Sequence, residues 1–244
     1  FGYDLSFPLG GTDNANYNEF ANSGAEDLNS SNLYGATNCF GGEVLIANGV
    51  QDTTVVHTGK NSLKVPQSGL GFGYKAKINS TNGITMNKPY RMTVWVYDNG
   101  NTSAEMFYTL QDSTGTSVTT PNSGTVLLSG ITSPVSAGNW KQLTLDFTLT
   151  GSYNNYLLWI GVMNTSSSST YAYFDDFRFH PLSETVTTNV YDKASRQVTY
   201  SLDGNNFYSR RAYDNSFRPI GDYKETIYGE IKKKEYQYNF GKRQ

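Results

Sequence analysis

The chain has 244 residues, of which 37% are hydrophobic, 14% aromatic and only 16% charged, with a formal net charge of −2. That length can bury a substantial core, and the near-neutral charge argues against nucleic acid or an anionic membrane as the main partner. Residues 1–190 hold 8 Lys and Arg against 14 Asp and Glu, and residues 191–244 hold 11 against 7. The basic end is interleaved with acids, which reads as a solvated surface.

In chain order the predicted elements are strands. They are "NSLKV" (61–65), "GFGYKAKI" (71–78), "RMTVWVYD" (91–98), "AEMFYTLQD" (104–112), "GTVLLSGI" (124–131), "KQLTLDFTL" (141–149) and "NYLLWIGVM" (155–163). Alternation sets Met92, Val94 and Val96 on one face of their strand, with Thr93, Trp95 and Tyr97 on the other. Leu143, Leu145, Phe147 and Leu149 likewise share a face. Clusters of Gly, Asn, Ser and Thr such as "NSTNG", "YDNGNTS" and "NTSSSST" separate the runs. No segment in this region keeps a helical period for three turns. Many short strands without intervening helices predict an all-β fold, a jelly-roll β-sandwich.

The last strand of this series, "YAYFDDFRFHP" (171–181), carries two acids among aromatics. With Phe177 and Phe179 facing the core, strict alternation puts Asp175 and Tyr173 on the same inward face. Asp176, Arg178 and His180 then face solvent. An inward carboxylate needs a cation or several donors. Ca²⁺, which prefers carboxylate and backbone oxygen, is one answer, and capping by backbone N–H groups is the other.

In the order "VVHTGKNSLKV" (55–65), "KPYRMTVWV" (88–96), "GNWKQLTLDF" (138–147) and "YAYFDDFRFHP", the chain resembles galactose-binding-like carbohydrate-binding modules. The acidic "SGAEDL" (23–28) resembles their opening segment. The resemblance implies a jelly roll over 23–181 with a structural Ca²⁺, held by Glu26, the carbonyl of Lys60 and Asp175. It also implies a glycan as partner. Trp95 and Tyr97, opposite the core face of their strand, are the candidate ligand platform; burial of Trp95 between the sheets is the competing reading.

After Pro181 the texture changes. Tyr191-Asp192 with Arg196 is matched by Tyr213-Asp214 with Arg218, a 22-residue repeat, and Tyr238-Asn239 is a degenerate third copy. Such a period suits stacked hairpins. The pattern resembles the YD repeat of RHS-type proteins, and the whole combination resembles the C-terminal end of large RHS/YD-like surface proteins of Bacteroidota. That implies a connector over 1–22, a small β-hairpin extension over 182–244, and a secreted or cell-surface location. The partners implied are a glycan or, alternatively, other domains of the same polypeptide and surface or secretion proteins. No direct membrane insertion is expected, since no apolar run approaches the roughly 20 residues of a membrane helix.

Signals for catalysis are few, and no enzyme activity is expected. His57 and His180 are the only histidines, in a turn and before a proline. Asp175 and Asp176, adjacent on a strand, should point to opposite faces, whereas a glycosidase pair converges across one bond. Cys39 is the single cysteine, so there is no internal disulfide. "GLGFG" (69–73) lacks the helix and Lys of a phosphate cradle. "KKK" (232–234) reads as a solvated edge strand.

Overall fold

The structure is a computed structural model that describes residues 7–27, 44–79 and 81–238. Cys39 and Leu28 lie outside the described residues. The strands are β1 (Gly10–Thr12), β2 (Ala21–Ser23), β3 (Leu45–Ile46), β4 (Val50–Asp52), β5 (Ser62–Val65) and β6 (Leu70–Lys77). They continue with β7 (Pro89–Tyr97), β8 (Ala104–Gln111), β9 (Ser117–Leu127), β10 (Val135–Ala137), β11 (Trp140–Thr148) and β12 (Leu157–Asn164). The last six are β13 (Ala172–Pro181), β14 (Val186–Tyr191), β15 (Val198–Leu202), β16 (Tyr208–Tyr213), β17 (Pro219–Thr226) and β18 (Gly229–Glu235).

Two of the three sheets form the sandwich. One runs β10-β11-β7-β13-β5-β4, with β2 also on β13, and the other runs β3-β6-β12-β8-β9. The central strands contribute apolar rows to the space between them: Met92, Val94 and Val96 from β7, Leu158, Ile160 and Val162 from β12, all fully buried. The predicted jelly-roll sandwich is the fold observed, and the face assignment in β7 is the one the alternation gives.

The third sheet is a meander, β1-β14-β15-β16-β17-β18. Its first strand lies before the sandwich in the chain, and its other five follow it. Gly10 pairs with Thr188 and Thr12 with Val186. The stretch expected as a connector therefore does more. It supplies β1 to the C-terminal sheet and β2 to the sandwich, where Phe177 pairs with Ser23 and Phe179 with Ala21. Between those strands Glu19 is fully buried, accepting from Tyr90 Oη at 2.6 Å and Lys88 Nζ at 2.8 Å. Those bonds hold its carboxyl below the usual range although burial pushes it up.

Candidate functional site

The two acids of β13 sit at a β-bulge. Asp175 pairs with Trp95 of β7, and the next paired residue is Arg178, opposite Thr93. Asp176 takes φ +50° to make this step. The extra residue reverses the alternation. Phe174 lies inward ahead of the bulge and Phe177 and Phe179 lie inward after it. Asp175 and Tyr173, expected on that inward face, instead share the outer face with Trp95 and Tyr97. Nor do Asp176, Arg178 and His180 face solvent: they are 5%, 1% and 4% exposed, and the C-terminal sheet with its β15–β16 turn covers the first two, Asn206 Nδ2 donating to the Asp176 carbonyl and Arg178 donating to Asp203 and Thr188.

The covering contact is built around His57. Asp175 Oδ2 accepts the N–H groups of His57 at 2.9 Å and Thr58 at 3.2 Å, and its Oδ1 accepts that of Asp176 at 2.8 Å. Asp176 Oδ2 lies 2.7 Å from His57 Nδ1, and its Oδ1 accepts the Thr58 hydroxyl at 2.8 Å. The two adjacent carboxylates thus converge on one turn. Alternation alone would have separated them. On its far side, His57 Nε2 meets Glu225 Oε1 of β17 at 2.7 Å. The imidazole stacks on Trp95 with centroids 4.5 Å apart.

Electrostatics follow from that geometry. Burial pushes the His57 pKa down, but the hydrogen bonds and charges of Asp176 and Glu225 raise it to about 9, so the ring is a cation at neutral pH. Asp175 is pushed well above the usual carboxylate range, by burial first and then by the neighbouring Asp176 charge. Arg178, buried alongside, is lowered by burial to about 10 while Asp176 and Asp203 oppose the shift. Its guanidinium donates to the Asp203 carbonyl and to the Thr188 hydroxyl of the third sheet.

The expected Ca²⁺ ligands are near one another but are turned to other partners. Glu26 Oε1 accepts the N–H groups of Lys60 at 2.7 Å and Asn61 at 2.8 Å, and its Oε2 accepts Asn61 Nδ2 at 3.1 Å. Asp175 accepts three N–H groups, as above. The turn after Thr58-Gly59 therefore offers these carboxylates amide donors. A Ca²⁺ ion needs six to eight oxygens converging on one point. Among the described residues no three Asp, Glu, His or Cys side chains are grouped to hold a metal. Glu26, the Lys60 carbonyl and Asp175 do not fit the ion in this arrangement, and capping by N–H groups accounts for Asp175.

Trp95 and Tyr97, expected as one platform, have different fates. Trp95 is fully buried. The turn after β15 closes over it: the indole N–H donates to the Asn206 carbonyl at 2.7 Å, and Phe207 packs edge-on at 5.5 Å. Beside it, Gln142 Nε2 donates to the Asn205 carbonyl at 2.8 Å. Tyr97 is only half-buried. It belongs to a row crossing the sheet at right angles to its strands. Trp140 of β11 pairs with Tyr97 of β7, and Tyr173 of β13 with Lys64 of β5. Ring centroids are 5.4 Å apart for Tyr97 and Trp140, and 6.3 Å for Tyr97 and Tyr173. Tyr171 flanks the row, 45% exposed, with Lys64 Nζ 4.3 Å from its ring centre. Asn139 Nδ2 donates to the Tyr97 hydroxyl at 3.2 Å.

Sequence reasoning missed Tyr173 as a neighbour of Tyr97, and with it Tyr171 and Lys64 at the margin of the row, because it placed Tyr173 inward. It read His57 as a turn residue and did not single out Glu225. A histidine in a turn, 168 residues from its partner, carries no local signal.

No family model matches the chain, and no curated protein does. Solved structures with a similar fold include the CBM22-1 xylan-binding domain of Paenibacillus barcinonensis Xyn10C, at 15% identity and TM-score 0.34, covering 57% of this chain and 81% of that one. Another is the C-terminal family 22 carbohydrate-binding module of Clostridium thermocellum Xyn10B, at 13% identity and TM-score 0.35, covering 68% and 86%. A CBM28 module specific for non-crystalline cellulose aligns at 14% identity and TM-score 0.32, covering 56% and 83%. At such values the likeness does not say what this chain binds.

Proposed function

We propose that this chain is a non-catalytic glycan-binding module of a secreted or cell-surface protein, and that Tyr97 and Tyr173, backed by Trp140 and flanked by Tyr171 and Lys64, contact the glycan. The observation that carries the reading is the cross-strand aromatic row beside the third sheet, in which Tyr97 and Tyr173 are half-buried over a buried Trp140. Sugar rings present apolar C–H faces that pack on aromatic rings, and their hydroxyls need polar groups close by. The row offers both: tyrosine rings at successive strand spacings, with the amides of Asn139 and Asn99 and the ammonium of Lys64 at its margin. Strands about 4.8 Å apart set those rings at intervals comparable to successive rings of an extended glycan. Trp95 acts beneath the row, as packing that holds β7 against the third sheet. Among the described residues no helix is long and apolar enough to cross a membrane.

A glycan array tests the reading, with the protein compared against Tyr97→Ala and Tyr173→Ala. Binding to one glycan class, reduced in both variants while each remains folded, supports it. A silent array from folded protein moves the weight to a module that docks on other proteins.

A further inference from the structure

One ion pair at the end of the aromatic row stands apart from the others by its length. Lys141 pairs with Asp98 at 2.5 Å, Lys88 with Glu19 at 2.8 Å and Lys232 with Glu235 at 2.9 Å. Lys64 Nζ and Asp52 Oδ2 are 3.9 Å apart. A hydrogen bond from ammonium to carboxylate spans about 2.7–2.9 Å, so this pair is open by roughly 1 Å.

Both partners are held where they stand. Asp52 Oδ1 accepts the Thr54 N–H at 2.8 Å, the Thr54 hydroxyl at 2.6 Å and the Val55 N–H at 3.0 Å. Those bonds, the Thr54 hydroxyl first, hold the carboxyl below its usual range, so it is ionised at neutral pH. They also fix its orientation, with Oδ2 turned to Lys64. The Lys64 ammonium lies 4.3 Å from the centre of the Tyr171 ring and 5.6 Å from that of Tyr173. Attraction to those ring faces keeps it from closing on Asp52.

The opening belongs to the row and is reached from solvent. On β5, Lys64 pairs with Tyr173 of β13 on one side and with Val50 of β4 on the other. Val50 is 59% exposed, and the Lys64 side chain is 28% exposed.

A hydroxyl suits such an opening, because it donates one hydrogen and accepts another. Placed between the two charges, it donates to Asp52 Oδ2 and accepts from Lys64 Nζ, each at about 2.8 Å. A carboxylate or sulfate has acceptors only. It would meet the ammonium and face the Asp52 charge in the same place.

We propose that Asp52 and Lys64 are the specificity-determining pair of the row, reading one free hydroxyl of the sugar ring packed on Tyr173 and rejecting a ring that carries an anion there. This rests on the aromatic row as the glycan site.

Native affinity gels test it, with xylan, galactomannan and laminarin as uncharged probes and polygalacturonate, alginate and chondroitin sulfate as acidic ones. The variants are Lys64→Met, Asp52→Asn, the two combined, and Tyr97→Ala, each checked for folding by circular dichroism. Lys64→Met keeps an apolar stem over the tyrosines and drops the ammonium. Asp52→Asn keeps an oxygen for Thr54 and Val55 and turns an amide donor towards Lys64. Retention of the original chain by an uncharged probe and by no acidic one is expected, with each single variant weakened about tenfold or more. The combined variant should bind no more weakly than the weaker single one, since both partners hold the same hydroxyl. Loss in Tyr97→Ala with Lys64→Met and Asp52→Asn unchanged overturns the pair and leaves the row standing. Retention by an acidic probe overturns the pair as well. Retention by none of the six removes the row, and the pair with it.

Discussion

His57 of the sandwich and Glu225 of the C-terminal sheet meet at 2.7 Å with side chains only 2% and 3% exposed. On the opposite side of the ring lies Asp176, also at 2.7 Å. A doubly paired, buried imidazolium therefore links two sheets that are distant in sequence. Losing one partner of such a pair costs about 3–5 kcal/mol, since the remaining charge is left without compensation.

That link makes stability depend on pH in a defined sense. The His57 pKa is raised from 6.5 to about 9 on folding, so its contribution is fully present below pH 6.5 and lost as pH rises through 9. Linkage sets the contribution at about 3 kcal/mol. The melting temperature should fall between pH 6.5 and 9.5, and His57→Gln should flatten that fall. A wild-type profile flat across this window would show that His57 is not charged in the fold.

Trp95 and Tyr97 should separate cleanly under mutation. Trp95→Ala empties a fully buried site bonded to Asn206 and is expected to cost about 3–5 kcal/mol, with loosening of the third sheet. Tyr97→Ala removes a half-buried ring and should cost about 1 kcal/mol. Denaturant melts measure both. If the costs come out equal, Trp95 is not the anchor of the covering sheet.

How far the residues alone disclose this arrangement depends on the distance over which they act. The apolar rows of β7 and β11 repeat every second residue, so the sandwich and its inner faces are readable in the chain. The bulge at Asp176 is not, because nothing in "FDDF" distinguishes a strand that continues from one that slips by a residue, and one residue exchanges the faces. The error at Asp175 propagated to Tyr173 and hid the aromatic row. Trp95 was legible as an outward residue, but its cover is Asn206, 111 residues away. The Tyr-Asp turns were visible because their chemistry is local.

Calcium is decided by metal analysis. Since Glu26 and Asp175 are turned onto amide donors, protein purified in Ca²⁺ and desalted should carry less than one ion per chain, and a chelator should leave the melting temperature unchanged. A stoichiometric ion whose removal lowers the melting temperature would reinstate Glu26, the Lys60 carbonyl and Asp175 as ligands. Both carboxylates would then have to rotate off the amides of residues 57–61.

Asp176 offers the sharpest separation of backbone strain from charge. Its φ of +50° lies in the left-handed region, which costs an ordinary residue roughly 1–2 kcal/mol and glycine nothing. On backbone grounds alone Asp176→Gly should stabilise. The side chain opposes this: it holds His57 Nδ1 and accepts the Thr58 hydroxyl, and removing it leaves the imidazolium with Glu225 alone. That loss, about 3–5 kcal/mol, outweighs the relief of strain. Asp176→Asn tolerates the same φ and keeps one acceptor oxygen, so the charge and one of the two accepting positions are lost. The expected order of stability at pH 7 is wild type, then Asn, then Gly, read from denaturant midpoints at constant m-value. Should Gly equal or exceed wild type, the conformation of the bulge would govern this site, and His57 would have no need of its second carboxylate.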